Sequence, residues 1–280
     1  MDNVGIYGEL IDKDFKRLGE FIYTNYGINL YPNKKVLVKS RLQKRLFELG
    51  IKSYAEYCDL VLNNDPNHKE AVEMINRIST NKTDFFREAN HFDFLSGDSL
   101  NKYLSLTGKN KITLWSAGCS SGEEPYTIAM VLNEQKQKIP LFDFEIYASD
   151  ISTTVLKKAK NAIYPDTAIV QIPMQYRTKY LLKSKDKSKK QIRIAPAIRE
   201  KIKLFRYNLL SNKPPMNKTF DIIFCRNTLI YFDRQTQEKV VANIISILNK
   251  GGYLYLGHSE SLINMNFALE SAGTSIYRKI

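Results

Sequence analysis

The sequence predicts an α/β protein: a small all-helical N-terminal domain, followed by a doubly wound parallel sheet with a small antiparallel β insertion. Residues 1–90 show helical periodicity and almost no strand signal. From Lys111 onwards, β-rich segments alternate with helical segments, which is typical of a parallel sheet covered by helices. The predicted divisions are a helical domain (1–78), a linker (79–90), a sheet domain (91–280) and, within the last, an insertion at about 177–200.

Four helices are predicted in the N-terminal part. The first begins near Asp12 and Asp14, which can cap it, and the second follows Pro32. Ser53 is a suitable N-cap for the third helix. The fourth extends from about Lys69 to Ile78, after a turn rich in Asn, Asp and Pro. These helices are enough to form a small domain of their own.

The predicted strands and helices of the second part follow one another along the chain. The strands are the segments KITLWSAG, FEIYASD, IKLFRYNL, FDIIFCRN, GGYLYLGH and TSIYRKI. The helices are EEPYTIAMVLNEQ, STTVLKKAKNAIY and RQTQEKVVANIISILNK. Two short β-like runs, KYLLKS and QIRIAPAI, flank the charged loop KDKSKK and predict the antiparallel insertion.

Composition limits the class of protein. The chain has 280 residues, 43% of them hydrophobic and 25% charged, which are ordinary globular values. No apolar run approaches the ~20 residues of a membrane span, and the first residues lack a signal peptide, so we expect a cytoplasmic location. Three cysteines without CxxC spacing and three histidines without metal-ligand spacing predict neither a disulfide framework nor a metal site. Trp115, Cys119 and Cys225 are expected to be buried.

The net charge of +13 is concentrated in two segments. Residues 177–206 contain twelve basic and two acidic side chains, a net charge of +10. Residues 34–47 predict a helix with an apolar face and contain no acid. Its basic residues are Lys34, Lys35, Lys39, Arg41, Lys44 and Arg45. They form either a solvated face or a surface for an acidic partner, and the charge alone allows a nucleic acid, a membrane surface or an acidic protein.

Polar residues at the ends of the predicted strands indicate a ligand site, because ligands of doubly wound sheets bind at the carboxyl ends of the strands. The first strand ends in AGCSSGEEP, without the GxGxxG pattern, and two glutamates opening a helix would repel a pyrophosphate. This argues against NAD and ATP. Acidic groups suit the amino group, sulfonium and ribose diol of S-adenosylmethionine. Asp150 ends the second strand. There it could accept hydrogen bonds from ribose hydroxyls, or it could only cap the next helix.

Six strings carry a resemblance to a known family. They are NKTDFFREANHF, LWSAGCSSGEEPYTIAM, YASDIS, YNLL, FDIIFCRNTLIYF and GGYLYLGHSESL, in that order. Together they resemble the CheR family of bacterial chemoreceptor glutamate O-methyltransferases, over essentially the whole chain. The resemblance implies a class I methyltransferase fold for the sheet domain. It also implies transfer of a methyl group from S-adenosylmethionine to glutamate carboxylates of chemoreceptors, giving methyl esters in chemotaxis adaptation.

The resemblance also implies the site residues. Cofactor contacts are expected at Asn81, Thr83, Arg87, Glu123, Asp150, Asn208, Leu209, Arg226 and Asn227. A glutamate is an anion at neutral pH, so the reaction needs alignment and not a general base. We expect Arg87 or Arg226 to orient the acceptor carboxylate, and Tyr231 to wall the methyl site. An ion pair between domains is the alternative for Arg87, and a core position is the alternative for Tyr231. No metal is expected.

The expected partner is the receptor. The resemblance places the six basic residues of the 34–47 helix against the Glu-rich methylation helices of a chemoreceptor cytoplasmic domain, with the enzyme recruited to membrane receptor arrays. In some members the β insertion docks a receptor C-terminal peptide by strand addition, which stays open here. Two other functions compete. A nucleic-acid methyltransferase would fit the charge, but the Asn/Asp-Pro-Pro-aromatic tetrad is replaced by Arg-Asn-Thr-Leu at 226–229. The other is a non-catalytic sensor that binds S-adenosylmethionine.

Overall fold

The computed structural model describes the chain from Gly8 to Ile280, apart from the side chains of Asp98 and Lys187. The first seven residues of the predicted helical domain therefore lie outside the described residues. The chain forms two compact units. One contains the residues up to Thr80 with Tyr231–Thr236, and the other contains Asn81–Ile230 with Gln237–Ile280. Among the described residues, no helix is both long and apolar enough to cross a membrane.

The first unit contains the four predicted helices. They are α1 (Asp12–Tyr26), α2 (Lys35–Leu49), α3 (Tyr54–Asn63) and α4 (Lys69–Ile78). Ser53 caps α3 as predicted, since its hydroxyl accepts from the Glu56 N–H at 3.2 Å. The capping prediction for Asp12 and Asp14 is wrong, because Ile11 is the N-cap of α1. Both acids lie instead in the first turn, where they complement the helix dipole.

The rest of the chain alternates helices and strands. The helices are α5 (Asn90–Phe94), α6 (Leu100–Thr107), α7 (Glu123–Lys138), α8 (Thr153–Asn161), α9 (Met174–Tyr180), α10 (Pro196–Arg199) and α11 (Arg234–Ser246). The strands are β1 (Lys111–Ala117), β2 (Asp143–Asp150), β3 (Ile163–Pro165), β4 (Leu181–Lys183), β5 (Gln191–Ile194), β6 (Ile202–Arg206), β7 (Phe220–Cys225), β8 (Leu248–Leu256), β9 (Leu269–Gly273) and β10 (Ile276–Lys279).

The large sheet has the strand order β6-β2-β1-β7-β8-β10-β9. The first five strands pair in parallel, and β10 and β9 add antiparallel strands at one edge. This confirms the predicted doubly wound sheet. The order reverses between β1 and β7, so their carboxyl ends lie side by side where such sheets bind ligands. The sequence prediction lacked β9, whose segment LESAG has no run of β-branched or aromatic residues.

The insertion is a three-stranded antiparallel sheet in the order β3-β5-β4, as the predicted fold class requires. Its strand β3 lies upstream of the predicted range of about 177–200. The sequence placed these residues in the preceding helix, because three residues are too few to show a strand period. The two ends of the insertion meet, since the Ile194 N–H donates to the Ala162 carbonyl at 3.0 Å.

Aromatic residues fill much of the core around the large sheet. Phe224 of β7 and Tyr255 of β8 stack with their ring centroids 4.2 Å apart. Trp115 of β1 is buried as predicted, and its Nε1–H donates to the Ser149 hydroxyl at 3.0 Å. Cys119 and Cys225 are also buried, as small apolar residues are. The sheet is therefore a rigid support for the loops at its carboxyl edge.

A carboxylate on β2 ties three neighbouring strands together. Glu145 Oε1 lies 2.6 Å from Lys111 Nζ of β1, and Oε2 lies 3.5 Å from Lys203 Nζ of β6. The hydrogen bond from Lys111 is the main reason that the pKa of Glu145 falls to about 2. Since the folded state holds this proton more weakly than the unfolded chain, the pair stabilises the fold above the ordinary pKa of 4.5. The stabilisation is lost as the pH falls towards 2.

We therefore expect Glu145→Gln to lower the free energy of unfolding by about 1 kcal/mol at neutral pH, because the pair is partly exposed. The difference from the wild type should disappear as the pH approaches 2, and urea unfolding across this range measures it. Glu20→Gln is the control, since Glu20 and Lys16 are both exposed and 3.9 Å apart. An equal loss at neutral and acid pH would contradict the role of the ionised carboxylate.

Candidate functional site

The loop after β1 turns the chain sharply at the carboxyl edge of the sheet. Gly118 and Gly122 adopt positive φ angles of 87° and 101°. The N–H groups of Gly118 and Cys119 both donate to the Ser149 carbonyl at 2.8 Å. A Cβ atom at Gly118 would lie 2.4 Å from Thr228 Oγ1, so only glycine lets the segment after β7 approach this loop. The small residues predicted to admit a ligand thus also bring two loops together.

Asp150, at the end of β2, is held by two backbone donors. Its Oδ2 accepts from the Ser120 N–H and its Oδ1 accepts from the Ser152 N–H, both at 2.9 Å. Ser152 is the N-cap residue of α8, so the carboxylate supports the start of that helix. Burial raises the pKa of Asp150, and the backbone hydrogen bonds oppose that shift. Each carboxylate oxygen has more than one lone pair, so Asp150 can still accept from a ligand.

Other predicted residues surround the same loop. The Ser120 hydroxyl donates to the Asn81 carbonyl at 2.8 Å. Glu123 lies in the first turn of α7, where its Oε2 accepts from the Ser121 hydroxyl at 2.8 Å. Burial raises the pKa of Glu123. The structure therefore gathers Asn81, Glu123 and Asp150 around one loop, as an edge rich in hydrogen-bond acceptors.

Arg226, directly after β7, is the centre of a buried ion network. Its side chain is 2% exposed, and its Nη1 and Nη2 lie 3.0 Å from carboxylate oxygens of Glu124 and Glu88 respectively. Nη2 also donates to the Arg87 carbonyl. Glu124 accepts in addition from the Ser116 hydroxyl at 2.7 Å. The guanidinium thus joins the 81–90 segment to the sheet, and its charge is already paired within the chain.

The same network determines the pKa values of the two acids. Burial raises the pKa of Glu124, and the charge of Arg226 opposes that shift without overcoming it. For Glu88, burial also favours the protonated form, but the attraction and hydrogen bond of Arg226 outweigh it, so its pKa lies below the ordinary value. Arg226 therefore favours the ionised form of both acids, and the pKa falls below its ordinary value only for Glu88.

Glu260 holds the segment that follows β7. Its carboxylate accepts from four backbone N–H groups at distances of 2.7–3.3 Å. These donors belong to Asn227, Leu229, Ile230 and Gly257. Asn227, a predicted cofactor residue, has a positive φ of 54°, a conformation that few non-glycine residues adopt. Glu260 thus fixes the backbone that carries Asn227.

Four further predicted residues belong to the second unit, and one belongs to the first. Arg87 is half-buried, and its Nη1 donates to the Lys82 carbonyl at 3.2 Å. Asn208 follows β6, and its Oδ1 accepts from the Leu210 N–H at 3.1 Å. Thr83 and Leu209 are half-buried. Tyr231 belongs to the first unit, where its hydroxyl donates to the Thr80 carbonyl at 3.3 Å.

Acids from elsewhere in the first unit pair with three of the six basic residues at α2, although the 34–47 segment contains no acid itself. Lys35 pairs with Asp12, and Lys39 Nζ lies 2.6 Å from Glu9 Oε1. Arg45 Nη2 lies 2.5 Å from Glu70 Oε2. Arg41 donates to the carbonyl of Ser79 at 3.1 Å. Within the described part of the chain, three members of the set have no ion pair: Arg41, which is half-buried against this carbonyl, and the exposed Lys34 and Lys44.

Sequence reasoning missed three acids of this region: Glu88, Glu124 and Glu260. Each lies in a string that suggested the family, in FFRE, GEEP and GHSE respectively. The strings do not show which guanidinium or backbone N–H group each acid accepts from, because these donors lie far away along the chain.

Comparison with known proteins gives a consistent set of relatives. Residues 13–79 match the family described as "CheR methyltransferase, all-alpha domain", and residues 81–278 match "CheR methyltransferase, SAM binding domain". A chemotaxis protein methyltransferase of Borreliella burgdorferi is 41% identical over 274 residues, covering 96% of this chain and 95% of the relative. That of Escherichia coli is 33% identical over 268 residues, covering 96% and 91%. Chemotaxis protein methyltransferase 2 of Pseudomonas aeruginosa is 34% identical over 267 residues, covering 95% and 92%.

Proposed function

Because the chain belongs to the CheR methyltransferase family, we propose that it methylates glutamate side chains of bacterial chemoreceptors, with S-adenosylmethionine as the methyl donor and glutamate methyl esters as the product. Its methyltransferase activity and its S-adenosylmethionine-binding domain follow from the family. The acceptor glutamate is the part that we propose. It rests on relatives that are chemotaxis protein methyltransferases over nearly the whole chain, at up to 41% identity.

The side chains at the carboxyl edge of the sheet fit this cofactor. The buried Asp150 and the half-buried Glu123 offer carboxylate oxygens, which suit a ribose diol and an amino group. When bound, S-adenosylmethionine supplies a methyl group on a positively charged sulfur, and an acidic edge favours that charge. The residues that we propose to hold it are Asn81, Thr83, Arg87, Glu123, Asp150, Asn208, Leu209, Arg226 and Asn227.

The chain's own task in this reaction is alignment. The acceptor glutamate is already an anion at neutral pH, so no side chain has to remove a proton. Because Arg226 is paired with Glu88 and Glu124, we propose that it serves the cofactor site by positioning the 81–90 segment and does not orient the acceptor carboxylate. We propose that Arg87, which has further N–H donors beyond the one given to Lys82, orients the acceptor carboxylate. That Tyr231 walls the methyl site stays a prediction from the resemblance to the family.

For the receptor, we propose that α2 meets the acidic methylation helices, in the cytoplasm at membrane receptor arrays. Lys34, directly before α2, and Lys44 would then contribute most, because Lys35, Lys39 and Arg45 already have acidic partners. The Arg41 side chain is occupied by backbone carbonyls. We also propose that an edge of the β3-β5-β4 sheet accepts a receptor C-terminal peptide by strand addition.

The decisive experiment is methyl transfer from radiolabelled S-adenosylmethionine to chemoreceptor cytoplasmic fragments, with and without their C-terminal tails. We expect label that mild alkali releases as methanol, and faster transfer when the tails are present. Asp150→Ala should abolish the transfer, whereas Asp93→Ala, at an exposed position, should not. Alkali-stable label on the receptor, or label in RNA, would overturn the proposed substrate. Equal rates with and without the tails would overturn the peptide-docking part alone.

Charge reversal tests the receptor surface. The double variant Lys34→Glu/Lys44→Glu should raise the KM for the receptor fragment about tenfold at low salt, since two attractions become repulsions. Its affinity for S-adenosylmethionine should not change, because neither residue belongs to the proposed cofactor set. Lys16→Glu on α1, at a side chain that is 79% exposed, is the matched control. Equal effects of the control and the double variant would contradict a specific role for α2.

A further inference from the structure

Three side chains with metal-binding atoms converge in the second unit: Glu88, His91 and, far from both in sequence, His258. Glu88 Oε2 lies 3.6 Å from His91 Nδ1 and 4.0 Å from His258 Nε2, and the three ligand atoms all lie within 4.8 Å of one another. The two imidazole rings meet edge to face with centroids 4.9 Å apart. This set could not be predicted from the sequence, because the spacing of the histidines fits no metal motif.

The hydrogen bonding of His91 leaves one ring nitrogen available as a ligand. His91 is fully buried, and its Nε2 lies 3.1 Å from the Thr274 carbonyl. A carbonyl can only accept, so Nε2 carries the hydrogen and Nδ1 has a free lone pair. Nδ1 is buried and has no hydrogen-bond partner among the described residues. Metal-binding histidines typically donate their other N–H to a carbonyl in this way.

The three ligand atoms are close enough to bind a tetrahedrally coordinated ion if they move slightly towards one another. Zinc–nitrogen bonds of about 2.0–2.1 Å separate neighbouring ligand atoms of a tetrahedron by about 3.3–3.4 Å. The observed separations start at 3.6 Å. The His258 side chain is 41% exposed, so it can move inwards and also gives an ion a route from solvent. Three protein ligands leave the fourth position to water.

The neighbouring charges decide which ion fits. Glu88 Oε2 also accepts from Arg226 Nη2 at 3.0 Å and from the His258 N–H at 3.3 Å. An ion would therefore share this oxygen with a guanidinium, whose charge Glu124 partly balances. The carboxylate is then a weak ligand and the two imidazoles supply most of the affinity. Imidazole favours zinc, copper and nickel ions over magnesium and calcium.

We propose that Glu88, His91 and His258 form a binding site for a divalent transition-metal ion, with Zn²⁺ as the best fit. The ion is not part of the methyl transfer proposed above, although Glu88 is also the partner of Arg226. Because the ion and Arg226 share one oxygen of Glu88, binding of the ion competes with the Arg226–Glu88 ion pair.

The chain offers its own control, since it has three histidines and His68 lies in the first unit. We would titrate tag-free, reduced protein with Zn²⁺ by calorimetry, and with Co²⁺ by visible absorption. We expect one ion per chain for the wild type and for His68→Ala, with the visible bands of tetrahedral Co²⁺. His258→Ala, at a partly exposed position, should weaken binding on the order of a hundredfold.

A second variant separates the loss of a metal ligand from the loss of the fold. His91→Phe removes both ring nitrogens and keeps an aromatic ring against Tyr255, with which His91 packs edge to face. It should lose the ion as His258→Ala does, while thermal unfolding without metal shows whether each variant is folded. Absence of Zn²⁺ binding by the wild type would overturn the site. So would unchanged affinity in folded His258→Ala, loss of binding in His68→Ala, or a thiolate-to-cobalt absorption band indicating cysteine ligands.

Discussion

Replacing Glu260 with alanine is expected to remove about 3–5 kcal/mol from the free energy of unfolding and to weaken S-adenosylmethionine binding about tenfold or more. Four backbone N–H groups lose their common acceptor. The two hydrogen bonds that are fully buried, from Leu229 and Gly257, leave donors that cost about 1–3 kcal/mol each when unsatisfied, and the part-buried ones cost less. Cofactor binding suffers because Asn227, whose positive φ this carboxylate supports, can relax. Loss of one good contact of about 1.4 kcal/mol is already tenfold in Kd.

Urea unfolding and calorimetric titration with S-adenosylmethionine measure the two effects. Glu260→Gln keeps one carbonyl oxygen and the size of the side chain, so its losses should be smaller than those of the alanine variant. Glu270→Ala is the control, because Glu270 pairs with Arg278 at the surface at 2.5 Å. If Glu260→Ala and Glu270→Ala unfold alike and bind the cofactor alike, the carboxylate does not position this backbone.

Replacing Arg226 with methionine should destabilise the protein by about 3–5 kcal/mol near neutral pH, because it leaves two buried carboxylates without their counter-charge. Adding Glu124→Gln to this variant removes one of those charges and should restore part of the loss, which a double-mutant cycle measures. Arg226→Lys keeps the charge but not the fork that reaches both acids, so it should lie between the wild type and the methionine variant.

The pH dependence of the same variant has a definite sign. In the wild type the pKa of Glu88 is lowered, so its ionised form stabilises the fold above its ordinary value of 4.5 and that contribution is lost at lower pH. Without Arg226 there is no such contribution. The gap between Arg226→Met and the wild type should therefore be largest near neutral pH and should narrow below about pH 4.5. A constant gap, or an equal loss in Arg278→Met at the exposed pair, would contradict the role of the buried charges.

Much of the fold could be predicted from the sequence, because periodicity and end signals are local. The strands at the centre of the sheet are buried and read as continuous apolar runs, such as FDIIFC in β7, and Ser53 marks a helix start by its own side chain. Two short strands were not predicted. β3 has three residues and directly follows α8, and β9 lies at the sheet edge with mostly exposed residues.

The candidate site was predictable only in part, for a physical reason. The rule that ligands bind at strand ends located Asp150 and Arg226 without knowledge of their neighbours. The partners of Arg226 could not be predicted, since Glu88 and Glu124 meet it only through the folded sheet. For the same reason α2 seemed to have no balancing acid. Glu9 and Glu70 reach its basic residues from other parts of the first unit.

The backbone hydrogen bond between Ala162 and Ile194 makes the insertion a self-contained block of the chain. Its three strands come from one contiguous stretch, β3 to β5, whose entry and exit are joined by a backbone hydrogen bond. A block of chain with adjacent ends can be exchanged for another of different length without shifting the register of the large sheet. Chimaeras that swap 163–194 with the equivalent stretch of a relative should therefore keep the large sheet folded, whereas swaps cut at 177 would separate β3 from β4 and β5.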